Sequence, residues 1–374
     1  MNPDAPNDGS GEVKSKQSLD AAGGGVSAAG AVAAGSAAVG GAASSIAQRD
    51  AQLRALALQP RGFPSLPADW QAETETFRSV DGQVQLFGIL LRKEPWTAPP
   101  ASGRALVVLH GFGDHAGRYL HFPHYLRAAN GTAQGADGPA NDPVDAIYGL
   151  DHRGHGRSEG LRGDVERFDA MADDAARAIT RLDERLRGRF GKSEIHLFAH
   201  SMGSLVALRM MFAHPELPLA SASLSAPFLA VKAKVSPFKT GAAKLLNRLG
   251  GGRIQLDTGL DADLISRDPE VVMAYRSDRL VHGKMTPRFF AALQEAQADT
   301  LRRESGIEPP LLFMVPQQDG LVDAEVSIDF FTRLKHRDKR LATYPGYFHE
   351  AMNDPGKEVF FADLGAWIRA HSQK

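Results

Sequence analysis

The sequence predicts an α/β fold: a mostly parallel central sheet with helices on both faces and one helical insertion. Three observations carry this expectation. Short apolar runs alternate with longer stretches of helical period, the pattern of strands buried on both faces and joined by crossover helices. A serine, Ser201, stands between one such run and a helical stretch, with small residues two before and two after it. The alternation breaks only once over a long interval, at about 228–287.

Taken in order, the first sixty or so residues stand apart. Residues 21–47 are almost entirely Ala, Gly and Ser, without the bulky side chains needed to bury a core. The stretch 1–62 is therefore expected to be a disordered tail. It does not read as a signal peptide, because Asp4, Asp8, Glu12 and Asp20 outweigh Lys14 and Lys16 ahead of a weakly hydrophobic run. The expected location is cytoplasmic, with contact to a membrane surface left open. Residues 63–374 are expected to form one domain. Residues 76–80 and 83–91 flank an Asp81-Gly82 turn and predict a β-hairpin. Buried strands are predicted over 105–109, 146–150, 195–198, 220–224, 311–315 and 340–344. Helices are predicted over 168–190, 204–214, 324–336 and 357–372. A smaller insertion over 130–145, rich in Gly, Ala, Asp and Pro, reads as a surface loop. The large insertion lies between two core strands, where it would fold over the ligand-binding ends of the sheet as a cap.

Composition narrows the function. The net charge is −1, which suggests no polyanionic partner such as nucleic acid. The absence of cysteine rules out disulfides, thiol catalysis and Cys-ligated metal. No run is apolar enough to span a bilayer.

The segment Ala199-His200-Ser201-Met202-Gly203 has the form of a nucleophile elbow, with Ala199 where glycine is usual. A serine hydroxyl needs a base to take its proton, an acid to orient that base, and donors for the developing oxyanion. His349 follows the last predicted strand closely and is the expected base among 13 histidines. Asp319, just beyond the strand over 311–315, is the expected acid. Its rival Asp323 reads as a cap for the following helix. The glycine-bearing loop His110-Gly111-Phe112-Gly113-Asp114 offers the Phe112 amide as an oxyanion donor, alongside the Met202 amide. His110 and His115 are not read as metal ligands, because no Cys or helical His pair with a nearby Glu accompanies them. No cofactor is expected. The loop Asp151-His152-Arg153-Gly154-His155-Gly156-Arg157-Ser158-Glu159-Gly160 is read as a structural turn with locally paired charges rather than an anion site.

Together, the segments 110–115, 151–160, 199–203 and 346–350, with Asp278 to Met285, resemble the monoacylglycerol lipase and lysophospholipase branch of the α/β-hydrolase superfamily, the serine aminopeptidase S33-like group. The resemblance runs from about Phe77 to the C-terminus. It departs from that group at Ala199 and at Gln317-Gln318, which stand where small residues usually precede the acid. It implies a carboxylic ester hydrolase acting on a single-chain lipid, a monoacylglycerol or lysophospholipid, through an acyl-enzyme and beneath a cap. Val235, Pro237, Phe238, Leu245, Leu246 and Leu249, interleaved with Lys239, Lys244 and Arg248, could rest on a lipid surface or simply pack onto the sheet domain. A short-chain esterase or an aminopeptidase-like enzyme remains an alternative, with Asp261, Asp263 and Asp268 available to hold an α-amine. So does a ligand-binding scaffold without catalysis. Dehalogenase and epoxide hydrolase chemistry would need an Asp in place of Ser201.

Overall fold

The computed structural model describes residues 64–96, 102–128, 142–232 and 250–373. The expected tail, most of the smaller insertion, and the apolar and basic segment from Val235 to Leu249 lie outside the described residues.

Eight strands form one sheet. They are β1 (Trp70–Arg78), β2 (Gln85–Lys93), β3 (Arg104–Leu109), β4 (Ala146–Asp151), β5 (Glu194–His200), β6 (Leu219–Ser225), β9 (Leu311–Pro316) and β10 (Lys339–Tyr344). Their spatial order is β1-β2-β4-β3-β5-β6-β9-β10. The β1–β2 hairpin and the β2–β4 pair are antiparallel; every later pair is parallel. Two-residue strands β7 (Leu256–Asp257) and β8 (Lys284–Met285) pair as a separate ribbon within the predicted insertion.

Both faces of the inner parallel strands β3, β4 and β9 are buried, which explains why they read as apolar runs. Along β3, Ala105, Val107 and Leu109 enter one core while Leu106 and Val108 enter the other. Along β9, Leu311, Phe313 and Val315 alternate in the same way with Leu312 and Met314. The helices divide accordingly. The first core is closed by α2 (Asp169–Phe190), α3 (Met202–Ala213), α5 (Pro287–Leu301) and α6 (Ala324–Arg333). The second is closed by α1 (Phe122–Ala128) and α7 (Lys357–Ala370). Helix α4 (Pro269–Ser277) belongs to the interval that carries no main-sheet strand. There, Ala262, Ile265, Val271 and Val272 form a small core of their own.

The sequence reading and the structure differ mainly at element ends. Strand β1 begins at Trp70 rather than near position 76, because Trp70 and Phe77 are its buried anchors while the residues between them are mostly polar. Helix α5, which follows the insertion, was not singled out from its sequence. Its buried stripe is Phe289, Leu293, Ala296 and Thr300, capped by Thr286.

The loop from Asp151 to Gly160 is held by hydrogen bonds and ion pairs, most of them to distant segments rather than the local charge pairs expected. The Asp151 carboxylate accepts the Ala116 and Arg157 amides at 2.7 Å each. Arg153 donates to Asp81 and Asp174, also at 2.7 Å, tying the hairpin turn to α2. Among the described residues, no helix is long and apolar enough to cross a membrane.

Phe198, fully buried in β5, packs its ring against Phe122 (5.1 Å between centroids), Phe360 (6.0 Å) and Tyr119 (6.3 Å). Phe198→Ala removes the filler shared by α1 and α7. It is expected to cost about 3–5 kcal/mol of unfolding free energy, as measured by chemical denaturation.

Candidate active site

The four candidate elements leave the carboxyl ends of parallel strands and so converge at one edge of the sheet. The loop with Phe112 follows β3, Ser201 follows β5, Asp319 follows β9 and His349 follows β10.

The elbow explains itself locally. Ser201 has φ 54° and ψ −120°, a conformation that L-residues rarely adopt, and it immediately precedes α3. Its amide donates to Ser225 O at 2.8 Å, and the Ser204 hydroxyl donates to Ala199 O at 2.8 Å. The crowding lies on the helix side of the turn. A Cβ at Gly203 would stand 2.3 Å from Leu109 O and 2.6 Å from His110 O, both backbone atoms that cannot yield. On the strand side, Ala199 is fully buried within the first core.

The structure brings Ser201, His349 and Asp319 together. His349 Nε2 lies 2.9 Å from Ser201 Oγ, and His349 Nδ1 lies 2.6 Å from Asp319 Oδ2. The other Asp319 oxygen accepts the Leu321 and Val322 amides at 2.8 and 2.9 Å, which fixes the carboxylate's rotation. Asp323 instead accepts the Glu325 and Val326 amides and caps α6. His371 pairs with Asp338 at 3.0 Å, away from this cluster. Gln317 and Gln318 are exposed, so their size does not obstruct the turn that carries Asp319.

Burial alone would lower the basicity of the His349 ring. The Asp319 charge and hydrogen bond, with smaller help from Glu350 and Asp114, outweigh that penalty and hold its pKa above the ordinary histidine value. The neighbouring His200 ring, 4.8 Å from that of His349, is pushed well below the ordinary value by burial and by His349 itself. One imidazole is thus poised to take a proton and the other is kept neutral.

The Phe112 and Met202 amides have no hydrogen-bond acceptor among the described residues. His110 orients the first of them. Its Nε2 accepts the His152 amide at 3.0 Å, so Nδ1 carries the proton and donates to Gly111 O at 2.8 Å. In a trans peptide the C=O and N–H point in opposite directions, so gripping Gly111 O turns the Phe112 N–H the other way. Burial lowers the His110 pKa to about 3, which keeps this arrangement neutral.

A charged network that sequence reading did not single out lies beside these groups. Arg118 donates to both Glu350 oxygens at 2.7 and 2.8 Å and to Asp114 at 3.1 Å; Tyr119 OH donates to Asp114 at 3.0 Å. It ties the loop of His349 to the loop of Phe112. His115 Nε2 lies 2.9 Å from Asp278 Oδ2, and the His282 amide donates to Gly113 O at 3.0 Å. Among the described residues, no group of three or more His, Asp or Glu side chains is arranged to hold a metal ion.

The profile of the family described as serine aminopeptidase, S33, matches residues 100–356 and so takes in all four candidate loops. The monoacylglycerol lipase of Mycolicibacterium smegmatis is 32% identical over 298 residues, covering 79% of this chain and 98% of that protein. Phospholipase YtpA of Bacillus subtilis is 26% identical over 257 residues, covering 68% and 91%. Among solved structures, the monoacylglycerol lipase of Paleococcus ferrophilus superposes with a TM-score of 0.61 at 26% identity, covering 81% of this chain and all of that one. A match across more than two thirds of the chain, joined to the topology above, places the protein in the serine aminopeptidase S33 family with an α/β-hydrolase fold.

Proposed function

We propose that this protein is a serine hydrolase that cleaves carboxylic esters of single-chain lipids, monoacylglycerols or lysophospholipids, through an acyl-enzyme. The observation that carries the reading is the unbroken relay from Ser201 through His349 to Asp319, at 2.9 and 2.6 Å, set on a strained elbow. The lipid substrate is supported by the monoacylglycerol lipase and phospholipase relatives. The proposal takes 63–374 as the catalytic domain, 1–62 as a tail, and about 228–287 as the cap. It also places the enzyme in the cytoplasm, meeting its substrate at a lipid surface.

His349 Nε2 takes the Ser201 proton as Oγ attacks the ester carbonyl carbon. The carbonyl oxygen becomes an oxyanion held by the Phe112 and Met202 amides, with the N-terminus of α3 favouring its charge. Asp319 holds the ring in the Nδ1–H tautomer and stabilises the imidazolium. Collapse of the intermediate expels the alcohol, which leaves with the proton from His349. Water, deprotonated by His349, then attacks the acyl-enzyme and releases the fatty acid.

An aminopeptidase reading draws no support from the three acidic residues it would need. Asp261 and Asp268 accept backbone amides at the starts of their own helices, and Asp263 pairs with Arg276 at 2.7 Å.

Ser201→Ala is expected to lower turnover of long-chain monoacylglycerols and p-nitrophenyl esters by at least about 10⁴-fold, with an unchanged melting temperature. Retained turnover would refute the nucleophile. A preference for aminoacyl amides over esters would refute the lipid reading. The pH dependence follows from the sign of the His349 shift. The base must be neutral, so kcat/KM should fall as pH drops through an apparent pKa above 6.5, the ordinary histidine value. Asp319→Asn removes the raising influence and leaves burial. The acid limb should move to lower pH while kcat drops roughly 10³–10⁴-fold, as read from initial rates between pH 5 and 9.

A further inference from the structure

The base sits on a loop that the sheet does not hold by itself. Three consecutive amides bracket it, and their acceptors can be named. The Phe348 amide donates to Asp354 Oδ2 at 3.0 Å. The His349 amide donates to Leu264 O at 3.4 Å, and the Glu350 amide to Ile265 O at 2.7 Å. Two of the three acceptors are therefore carbonyls of the insertion.

The third acceptor, Asp354, is fully buried and is itself held by the insertion. Its Oδ1 accepts the Arg267 amide at 2.6 Å and the Ser266 hydroxyl at 3.2 Å; its Oδ2 accepts Arg267 Nε at 2.8 Å. Ser266 Oγ shares its one proton with Asn353 O at 3.0 Å, and the Arg267 guanidinium lies 5.1 Å over the Tyr347 ring. The acid's loop is gripped by the same segment. A Cβ at Gly320 would stand 2.9 Å from Leu264 Cδ2, and Leu321 packs into the small core built around Ile265.

We infer that Asp354 is a positioning residue for His349, and that with residues 264–267 it makes this part of the insertion a fixed wall of the catalytic framework rather than a detachable cover. The inference rests on the reading of His349 as the general base. Its physical content is geometric. The imidazole must meet Ser201 Oγ and Asp319 at once, so a shift of its backbone by about 1 Å lengthens one bond or the other, and such misplacement can lower turnover by as much as 10²-fold. A buried carboxylate that accepts four hydrogen bonds, two of them on the oxygen that holds Phe348 N, resists that shift more firmly than a carbonyl could.

Asp354→Asn tests this, because it keeps the side chain's shape but turns one acceptor oxygen into a donor. Every donor around Asp354 is an N–H or O–H, so the new amide must face one of them unpaired. Arg267→Met is the milder companion, removing one donor and leaving the carboxylate. Both are assayed on a p-nitrophenyl ester, and competent sites are counted by fluorophosphonate titration so that unfolded protein drops out. We expect kcat per titrated site to fall roughly ten- to hundredfold in Asp354→Asn and severalfold in Arg267→Met, with KM within about twofold of the parent. Wild-type kcat per titrated site in both variants would overturn the inference, as would a loss confined to KM. His349→Ala separates the two levels of failure. If that variant keeps its turnover, the base assignment itself is wrong. If it is inactive while both positioning variants turn over normally, only the present inference falls.

Discussion

The close approach of the first turn of α3 to the end of β3 is the constraint on which the rest of the site depends. Gly203 meets two backbone carbonyls with no room for a Cβ, so the helix can start only where it does. That start forces Ser201 into a left-handed φ, a strain of about 1–3 kcal/mol that persists because surrounding bonds over-determine it. The Ser201 amide on Ser225 O and the Ser204 hydroxyl on Ala199 O are those bonds. The same approach places the Met202 amide beside the loop that carries Phe112. The crowding that shapes the turn of Ser201 thus also sets the proposed oxyanion donors.

Charge is arranged around the base with similar economy. Arg118 is almost fully buried and is spent on two carboxylates, Glu350 and Asp114. Desolvation offsets much of what such a buried pair gains in attraction, so its value lies in geometry more than in net stability. It joins the residue after His349 to the loop of Phe112, and both carboxylates add to the field that keeps His349 basic. The His200 ring beside it is held neutral by burial and by His349 itself, so it adds no second positive charge next to the proposed base.

Much of this architecture was legible because side chains announce it. Strands buried on both faces must be largely apolar, and β3 and β9 are. The elbow is legible because its crowding admits only small residues at particular places, as at Gly203. Asp323 could be set apart from Asp319 because a helix cap has its own signature, and Asp323 caps α6. What the sequence hid was carried by backbone. Leu264 and Ile265 hold the loop of His349 through carbonyl oxygens, and any residue other than those could supply the same atoms. Arg118, Asp114 and Glu350 were hidden for another reason: 232 positions separate Arg118 from Glu350, and nothing in the chain marks that pairing.

The described part of the insertion is therefore joined to the site at two places. Its earlier part, 264–267, holds the base loop and touches the acid loop. Its later part reaches the oxyanion loop through Asp278 on His115 and the His282 amide on Gly113 O, where a Cβ at Gly113 would stand 2.1 Å from His282 O. Thr286 and Arg288 then fasten the start of α5 to Asp164. An insertion tethered in this way cannot swing as a rigid whole without moving the loops of His349 and Phe112 together.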